Sequence, residues 1–312
     1  MYKRQLLLFA FVPQFGAEGV WVSVFTAISA FCNAGFDLFG RFGAYSSLVP
    51  YVNNYYVQAV IMFMIMAGGL GFMVWVELAE YRKKRRLSLH AKVVLQFSVI
   101  FWVGGAVLLA LLEWSNPRTM GGLSVPGKIM AALFQSVSTR TAGMNTIDLA
   151  ACSPISKLLM SVLQFIGAAP GSTGGGVKVT TFAVLILTIR SVAQGRDDCV
   201  IGGHHIESKT VYRALTIIVI GAVAAFGSAV VVYYNTAETV SVIDCIFESC
   251  SAFGTVGLSV GVTGQLNTGA KLLYMACMFM GRVGPVSLAI SLTAKPDDNK
   301  RKVLPVGHIN VG

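Results

Sequence analysis

Three short segments of the 312-residue chain end alike. Residues 29–35 read SAFCNAG, 137–143 read VSTRTAG and 251–257 read SAFGTVG. Each closes on a polar residue, an Ala or Val, and a glycine: Asn33, Ala34 and Gly35; Thr141, Ala142 and Gly143; Thr255, Val256 and Gly257. A bulky apolar residue follows each glycine (Phe36, Met144, Leu258), and a phenylalanine precedes each at similar distance (Phe25, Phe134, Phe247). The chemistry on offer is that of the main chain. Glycine accepts φ > 0 and allows a tight turn. Carbonyl oxygens presented by such turns can replace the water that an ion sheds in a narrow pore. One tripeptide alone would carry little, since a glycine that merely caps a helix on the outer face looks the same. Three, with glycines 108 and 114 residues apart, constitute an internal repeat.

A second candidate is the stretch 167–176, which reads GAAPGSTGGG. It invites comparison with a phosphate-binding loop, but that motif needs GxxxxGK[ST] between a strand and a helix. Here Val177 separates Gly176 from Lys178, and the flanks are apolar. Gly167, Pro170, Gly171, Ser172, Thr173, Gly174, Gly175 and Gly176 instead break a span. Irregular backbone at membrane depth survives only where it borders protein or a cavity, so this stretch is expected inside the pore, below the glycine turns. Arg282 lies in an otherwise apolar run. A mid-membrane arginine is costly and faces the bundle interior with a partner, for which carbonyls of the broken helix are the candidates. Against this stands a charge that snorkels from a helix end. Lys178 is open between the two readings.

The elements that must position these residues are apolar. The chain is 55% hydrophobic and only 12% charged, with a mean hydropathy of +0.69, where a soluble domain carries about 25% charge. Uncharged runs at 55–76, 93–112, 158–177 and 214–234 reach the roughly 20 residues that a helical span needs. Around each glycine turn the order is span, short amphipathic segment, turn, span; the later spans are expected near 53–79, 157–191 and 270–293, and the earlier ones near 5–17 (short, and broken by Pro13), 92–113 and 211–234. The net charge is +10, which in a soluble chain would suggest nucleic acid. Here the Lys and Arg cluster between the spans, six in 82–92, four in 190–213 and four in 295–302. That is the positive-inside pattern, and it puts these loops and the C-terminus in the cytoplasm. All three turns then start from the opposite face, on segments too short to cross.

The acids Glu18, Asp37, Glu113, Asp148, Glu238, Asp244 and Glu248 fall on the turn side. Asp37 and Asp148 are placed to draw cations toward the mouth, with plain solvated loop charges the competing reading, and Glu248 is a candidate buttress of the last short helix, pairing with Arg140. The six cysteines form no CxxC and read as small hydrophobes. His204 and His205 are adjacent, a poor ligand spacing, so no metal site is expected beyond the transported ion.

The motifs SAFCNAGF (29–36), STRTAG (138–143), GSTGGGVK (171–178) and SAFGTVGL (251–258) resemble the Trk/Ktr/HKT superfamily of potassium transporters, and the closing PVGHINVG (305–312) resembles the tail of the bacterial Ktr membrane subunit. TVG at 255–257 also looks like the start of the TVGYG filter of potassium channels. The resemblance implies an all-α membrane protein of repeated helix–pore loop–helix units around an ion pathway. It makes the nine tripeptide residues a selectivity filter and the 167–178 stretch, with Arg282, an intramembrane gate. It further implies potassium uptake across the plasma membrane, with sodium as a second candidate ion, a homodimer, and a separate cytoplasmic nucleotide-binding regulatory ring. The chain itself carries no nucleotide fold, and the basic loops 81–92 and 190–213 are the candidate docking surfaces. Residues 1–90, 91–205 and 206–312 correspond to the second, third and fourth of the family's four units, so a first unit is expected upstream of Met1.

An ion-coupled secondary transporter of a small solute is the alternative, since broken helices occur there too, though without short re-entrant filters. An enzyme would need a nucleophile with its base, or paired acids, at membrane depth, and none is present in any span.

Overall fold

The computed structural model of the protein describes residues 3–43, 46–195, 199–236 and 239–284. Eleven α-helices are formed there: α1 (Lys3–Phe15), α2 (Glu18–Phe31), α3 (Tyr55–Gly69), α4 (Phe72–Lys84), α5 (Leu89–Glu113), α6 (Val125–Ser138), α7 (Pro154–Phe165), α8 (Val179–Ala193), α9 (Ser208–Asn235), α10 (Val242–Phe253) and α11 (Thr268–Val283). Among the described residues the strands are a two-residue hairpin, Val200–Ile201 with His204–His205. The basic cluster at 295–302 and the closing motif at 305–312 lie outside the described residues.

Local chemistry sets where the helices begin. The side chains of Asn54, Ser88, Ser124, Ser153, Ser241 and Asn267 each accept a backbone N–H from the first turn of α3, α5, α6, α7, α10 and α11, satisfying donors that the helix itself leaves unpaired. Arg82, Lys83 and Lys84 close α4, where cations suit the helix dipole.

The helices are sorted as lipid sorts them. On α9 the inward residues are small (Gly221, Ala225, Ser228, Ala229) and the outward ones large and apolar (Val219, Val223, Phe226, Val230). A water-soluble helix would be the reverse. Small inward residues let membrane helices approach closely, while hydrocarbon accepts the large ones. α5 and α9 are each long and apolar enough to cross a bilayer unaided.

Most of α6 and α10 is enclosed by other helices, whereas α2 buries one face and leaves Val20, Trp21, Ile28 and Phe31 exposed on the other. α2 packs on α1 and α3, α6 on α5 and α3, and α10 on α9, α11 and α7. Three apolar clusters seal them: one around Phe11, Phe39, Ile61 and Phe134; one around Leu109, Met160, Phe247 and Leu258; one around Val232, Cys245 and Tyr274. Phe134 and Phe247 are fully buried, as their repeated placement suggests, whereas Phe25 is only half-buried.

Two apolar runs differ from the straight spans expected of them. The run 55–76 is divided between α3 and α4, which meet at 99° across Leu70 and Gly71. Gly71 has φ 88, and the amide of Phe72, the first residue of α4 and so without a partner in its own helix, donates to the carbonyl of Gly171 (3.0 Å). The run 158–177 stops being helical at Phe165, and the chain stays irregular until α8 starts at Val179.

Candidate functional site

Each of α2, α6 and α10 ends in a tight reversal. Asn33, Thr141 and Thr255 are left-handed, with φ of 50, 81 and 52, and so are Gly35, Gly143 and Gly257, with φ of 75, 78 and 91. Non-glycine residues held there cost about 1–3 kcal/mol each, so the surroundings must impose the shape. A serine in each helix does so. Ser29 Oγ donates to the carbonyl of Phe36 (2.6 Å), Ser251 Oγ to that of Leu258 (2.7 Å), and Ser138 Oγ to that of Met144. The amides of Ala34, Ala142 and Val256 return to the carbonyls of these same serines at 2.9, 3.0 and 2.9 Å. The flanks differ: Met144 and Leu258 are buried, whereas Phe36 is 70% exposed.

The three turns meet. A methyl group placed on Gly35 would lie 3.0 Å from the carbonyl oxygen of Ala142 and 3.5 Å from that of Val256. One placed on Gly143 would lie 2.2 Å from the Val256 oxygen and 3.2 Å from Gly35 Cα, and one on Gly257 would lie 3.9 Å from Gly143 Cα. The glycines therefore face each other main chain to main chain, with the Ala142 and Val256 oxygens at the junction.

The 166–178 stretch lies against the Thr141 and Thr255 side of this junction. Thr173 Oγ1 donates to the carbonyl of Phe31, the last residue of α2 (3.2 Å). A methyl group on Gly174 would lie 2.2 Å from Thr141 Oγ1, and one on Gly175 would lie 2.3 Å from Thr255 Oγ1. Three consecutive loop residues thus touch the bases of all three turns. The loop is closed at its neck by Gly167 N–H to Val177 O (2.8 Å) and Val177 N–H to Phe165 O (3.1 Å). Three of its amides donate to other helices: Ala169 N–H to Gly69 O (3.0 Å), Thr173 N–H to Gly68 O (3.3 Å) and Gly176 N–H to Gly281 O (3.0 Å). Pro170 faces the α3–α4 bend, where a methyl group on Gly71 would lie 2.5 Å from its carbonyl oxygen. Two cations hold loop carbonyls: Lys178 Nζ donates to Gly174 O (2.5 Å) and Arg282 Nη1 to Thr173 O. Ser172 Oγ turns inward to Ala169 O (2.5 Å).

The expected pairing of Glu248 with Arg140 is not formed. Glu248 instead accepts from Ser259 Oγ, the amides of Val260 and Val262, and Thr263 Oγ1, so it fixes the chain just after the third turn. Arg140 points the other way, to main-chain carbonyls of Ser98 and Gly167. Glu113 is not a solvated charge either. It is fully buried and accepts from Asn116 Nδ2, Thr119 Oγ1 and the Ser153 amide. Asp37 and Asp148 each bond a backbone amide two residues ahead, and Asp244 pairs with Lys157 at 2.7 Å. Glu18 pairs with Arg41, and Glu238 lies outside the described residues.

Several participants were not singled out in the sequence. Gly68 and Gly281 receive the terminal carbonyls of α2 and α10: a methyl group there would lie 1.9 Å from Phe31 O and 1.7 Å from Phe253 O. The signal available was a glycine in each outer helix with no turn to explain it.

Comparison with known proteins places the chain in a family. The chain belongs to the TrkH family of cation transport proteins, not to a family of enzymes: the family profile matches residues 7–302. It is 36% identical over 288 residues to the potassium/sodium uptake protein NtpJ of Enterococcus hirae, covering 91% of this chain and 62% of that one. To the Ktr system potassium uptake protein B of Bacillus subtilis it is 34% identical over 308 residues, covering 98% and 67%, and to its namesake in Vibrio alginolyticus 37% over 294 residues, covering 93% and 63%. The fold matches the crystal structure of the potassium transporter TrkH from Vibrio parahaemolyticus with a TM-score of 0.71 at 19% identity, over 93% of this chain and 62% of that one. The chain thus spans somewhat under two thirds of the length of NtpJ and of that TrkH.

Proposed function

We propose that this chain forms part of a potassium uptake pore, in which main-chain oxygens beside Gly35, Gly143 and Gly257 replace the water of a dehydrating ion. The observation that carries the reading is the meeting of three separate turns on one junction, oxygen against glycine. Among the described residues no side-chain carboxylate touches the junction, so recognition rests on carbonyl dipoles, whose number and field favour one alkali cation over another. Few tight coordination sites imply modest preference for K⁺, with Na⁺ as the competitor. The 166–178 loop, pressed on Thr141 and Thr255 and tethered by Lys178 and Arg282, is the gate: it occupies the path on the far side of the turns and must yield for ions to pass. Residues 1–90, 91–205 and 206–312 are the repeated pore units. The basic segments 81–92 and 190–213 face the cytoplasm, where a separate nucleotide-binding regulatory ring would dock, and the membrane subunit pairs with a second copy of itself.

Gly257→Ser in the full-length protein tests the filter. A side chain there has 3.9 Å to its nearest obstacle, so the cost is confined to the backbone strain of a residue at φ 91, about 1–3 kcal/mol, while the carbonyl geometry changes. The K⁺ over Na⁺ permeability ratio in proteoliposomes should fall about tenfold, equivalent to ~1.4 kcal/mol. An unchanged ratio with intact flux would remove the filter assignment.

A further inference from the structure

Arg140 is the one charged residue among the three repeated segments. Its counterparts one residue before Thr255 and Asn33 are Gly254 and Cys32. It is 4% exposed and, among the described residues, makes no ion pair. Nη2 donates to the Gly167 carbonyl at 2.9 Å and Nη1 reaches the Ser98 carbonyl at 3.5 Å. The guanidinium carbon lies 5.4 and 5.8 Å from the ring centres of Phe101 and Trp102, a favourable placement for a cation. Nε has no partner, and the residue borders a small cavity lined also by Ile65, Gly69, Val137 and Ala168.

A buried cation is expensive, and more so in a membrane. The reason for it lies in its partner. In a continuous helix the Gly167 carbonyl would accept from the amide four residues on. Because α7 stops at Phe165, that acceptor is released into a dry interior, where an unpaired carbonyl is costly. The span after the first turn bends across Leu70 and Gly71 alone, whereas the span after the second is interrupted by the longer irregular stretch 166–178. The charge sits beside the longer interruption.

We infer that Arg140 is a positioning residue that couples filter to gate: its backbone leads directly into Thr141, and its guanidinium holds the Gly167 carbonyl at the root of the 166–178 loop. Arg282 on α11 holds the middle of the loop, Lys178 at the loop's own end bonds the Gly174 carbonyl, and Arg140 holds its root from the filter side. The loop cannot swing from its neck without releasing the guanidinium or dragging the strained Thr141 with it. This inference rests on the pore reading above.

The test is amide hydrogen exchange of the full-length protein in lipid nanodiscs, comparing Arg140→Gln and Arg140→Lys with the unaltered protein. Arg140→Gln should speed exchange across 168–176 about tenfold while α5 and α10 stay as they were. Arg140→Lys should give a smaller, two- to fivefold increase, because an ammonium can hold one carbonyl but cannot stack as a plane. If Arg140→Gln does not yield a monodisperse protein, the lysine variant alone decides. Loop exchange equal to the unaltered protein overturns the inference, as does an increase spread evenly over α5, α6 and α10, which marks general loosening. Exchange needs no ion flux, so this outcome is independent of the permeability result for Gly257→Ser.

Discussion

The three glycine turns and the 166–178 loop are both irregular chain inside a helical bundle, yet they are held in different proportions by their own atoms and by their neighbours'. Each turn is fastened by its own atoms: a serine six or seven residues back bonds the carbonyl just beyond the glycine. The loop has bonds of its own at its neck and from Ser172 and Lys178, but it leans as well on others, through backbone bonds to α3, α4 and α11 and through the Arg282 side chain. A segment that carries its own fastening keeps its shape when neighbours shift. A segment whose contacts are borrowed follows whichever neighbour moves, as a switching element must. If the loop gates the path as proposed, rigidity and mobility are built from the same hydrogen bonds, distributed differently.

The contrast is broken most severely at Gly143. Gly143→Ala places a methyl group 2.2 Å from Val256 O at φ 78. Since that obstacle is main chain, potassium flux in proteoliposomes should fall by ~100-fold or more, with backbone strain of ~1–3 kcal/mol added to the clash. Near-normal flux would show that the turns are not locked together. An intermediate effect is expected from Ser251→Ala, which removes the fastening of the third turn alone at a cost of about 1 kcal/mol. The K⁺ over Na⁺ ratio should drop roughly fivefold with the protein still stable to the same temperature, within a few degrees. The smallest effect belongs to Gly171→Ala, where nothing lies within 4 Å and only φ 67 resists. Strain of roughly 1 kcal/mol in a movable loop should leave flux within about twofold. If Gly171→Ala were as damaging as Gly143→Ala, the loop would be as stiff as the turns.

The site was legible where its cause is local. Glycine two residues after Asn33, Thr141 and Thr255 marks a left-handed turn, and proline with a glycine run at 167–176 marks a broken helix, because both follow from what those residues do to their own backbone. The division of 55–76 into α3 and α4 was not legible. That run is evenly apolar, and its bend depends on Gly171, a hundred residues away in sequence, accepting the amide of Phe72. The partners of Glu248 and Arg140 were missed for a related reason. Charge suggests an opposite charge, but here the best partners were amides and carbonyls left over by irregular backbone, which composition does not reveal. The serines at 29, 138 and 251 stood in the repeated motif, and their hydroxyls became meaningful only once the carbonyl each one reaches was known.

One consequence of the junction concerns how such a protein can change over generations. Where a core side chain outgrows its space, a second substitution can shrink the neighbour and restore the fit. At Gly143 the obstructing atom is the peptide oxygen of Val256, which every residue at 256 would carry unchanged. No compensating change exists within reach, so lineages can drift around this junction but have no stepwise route through it.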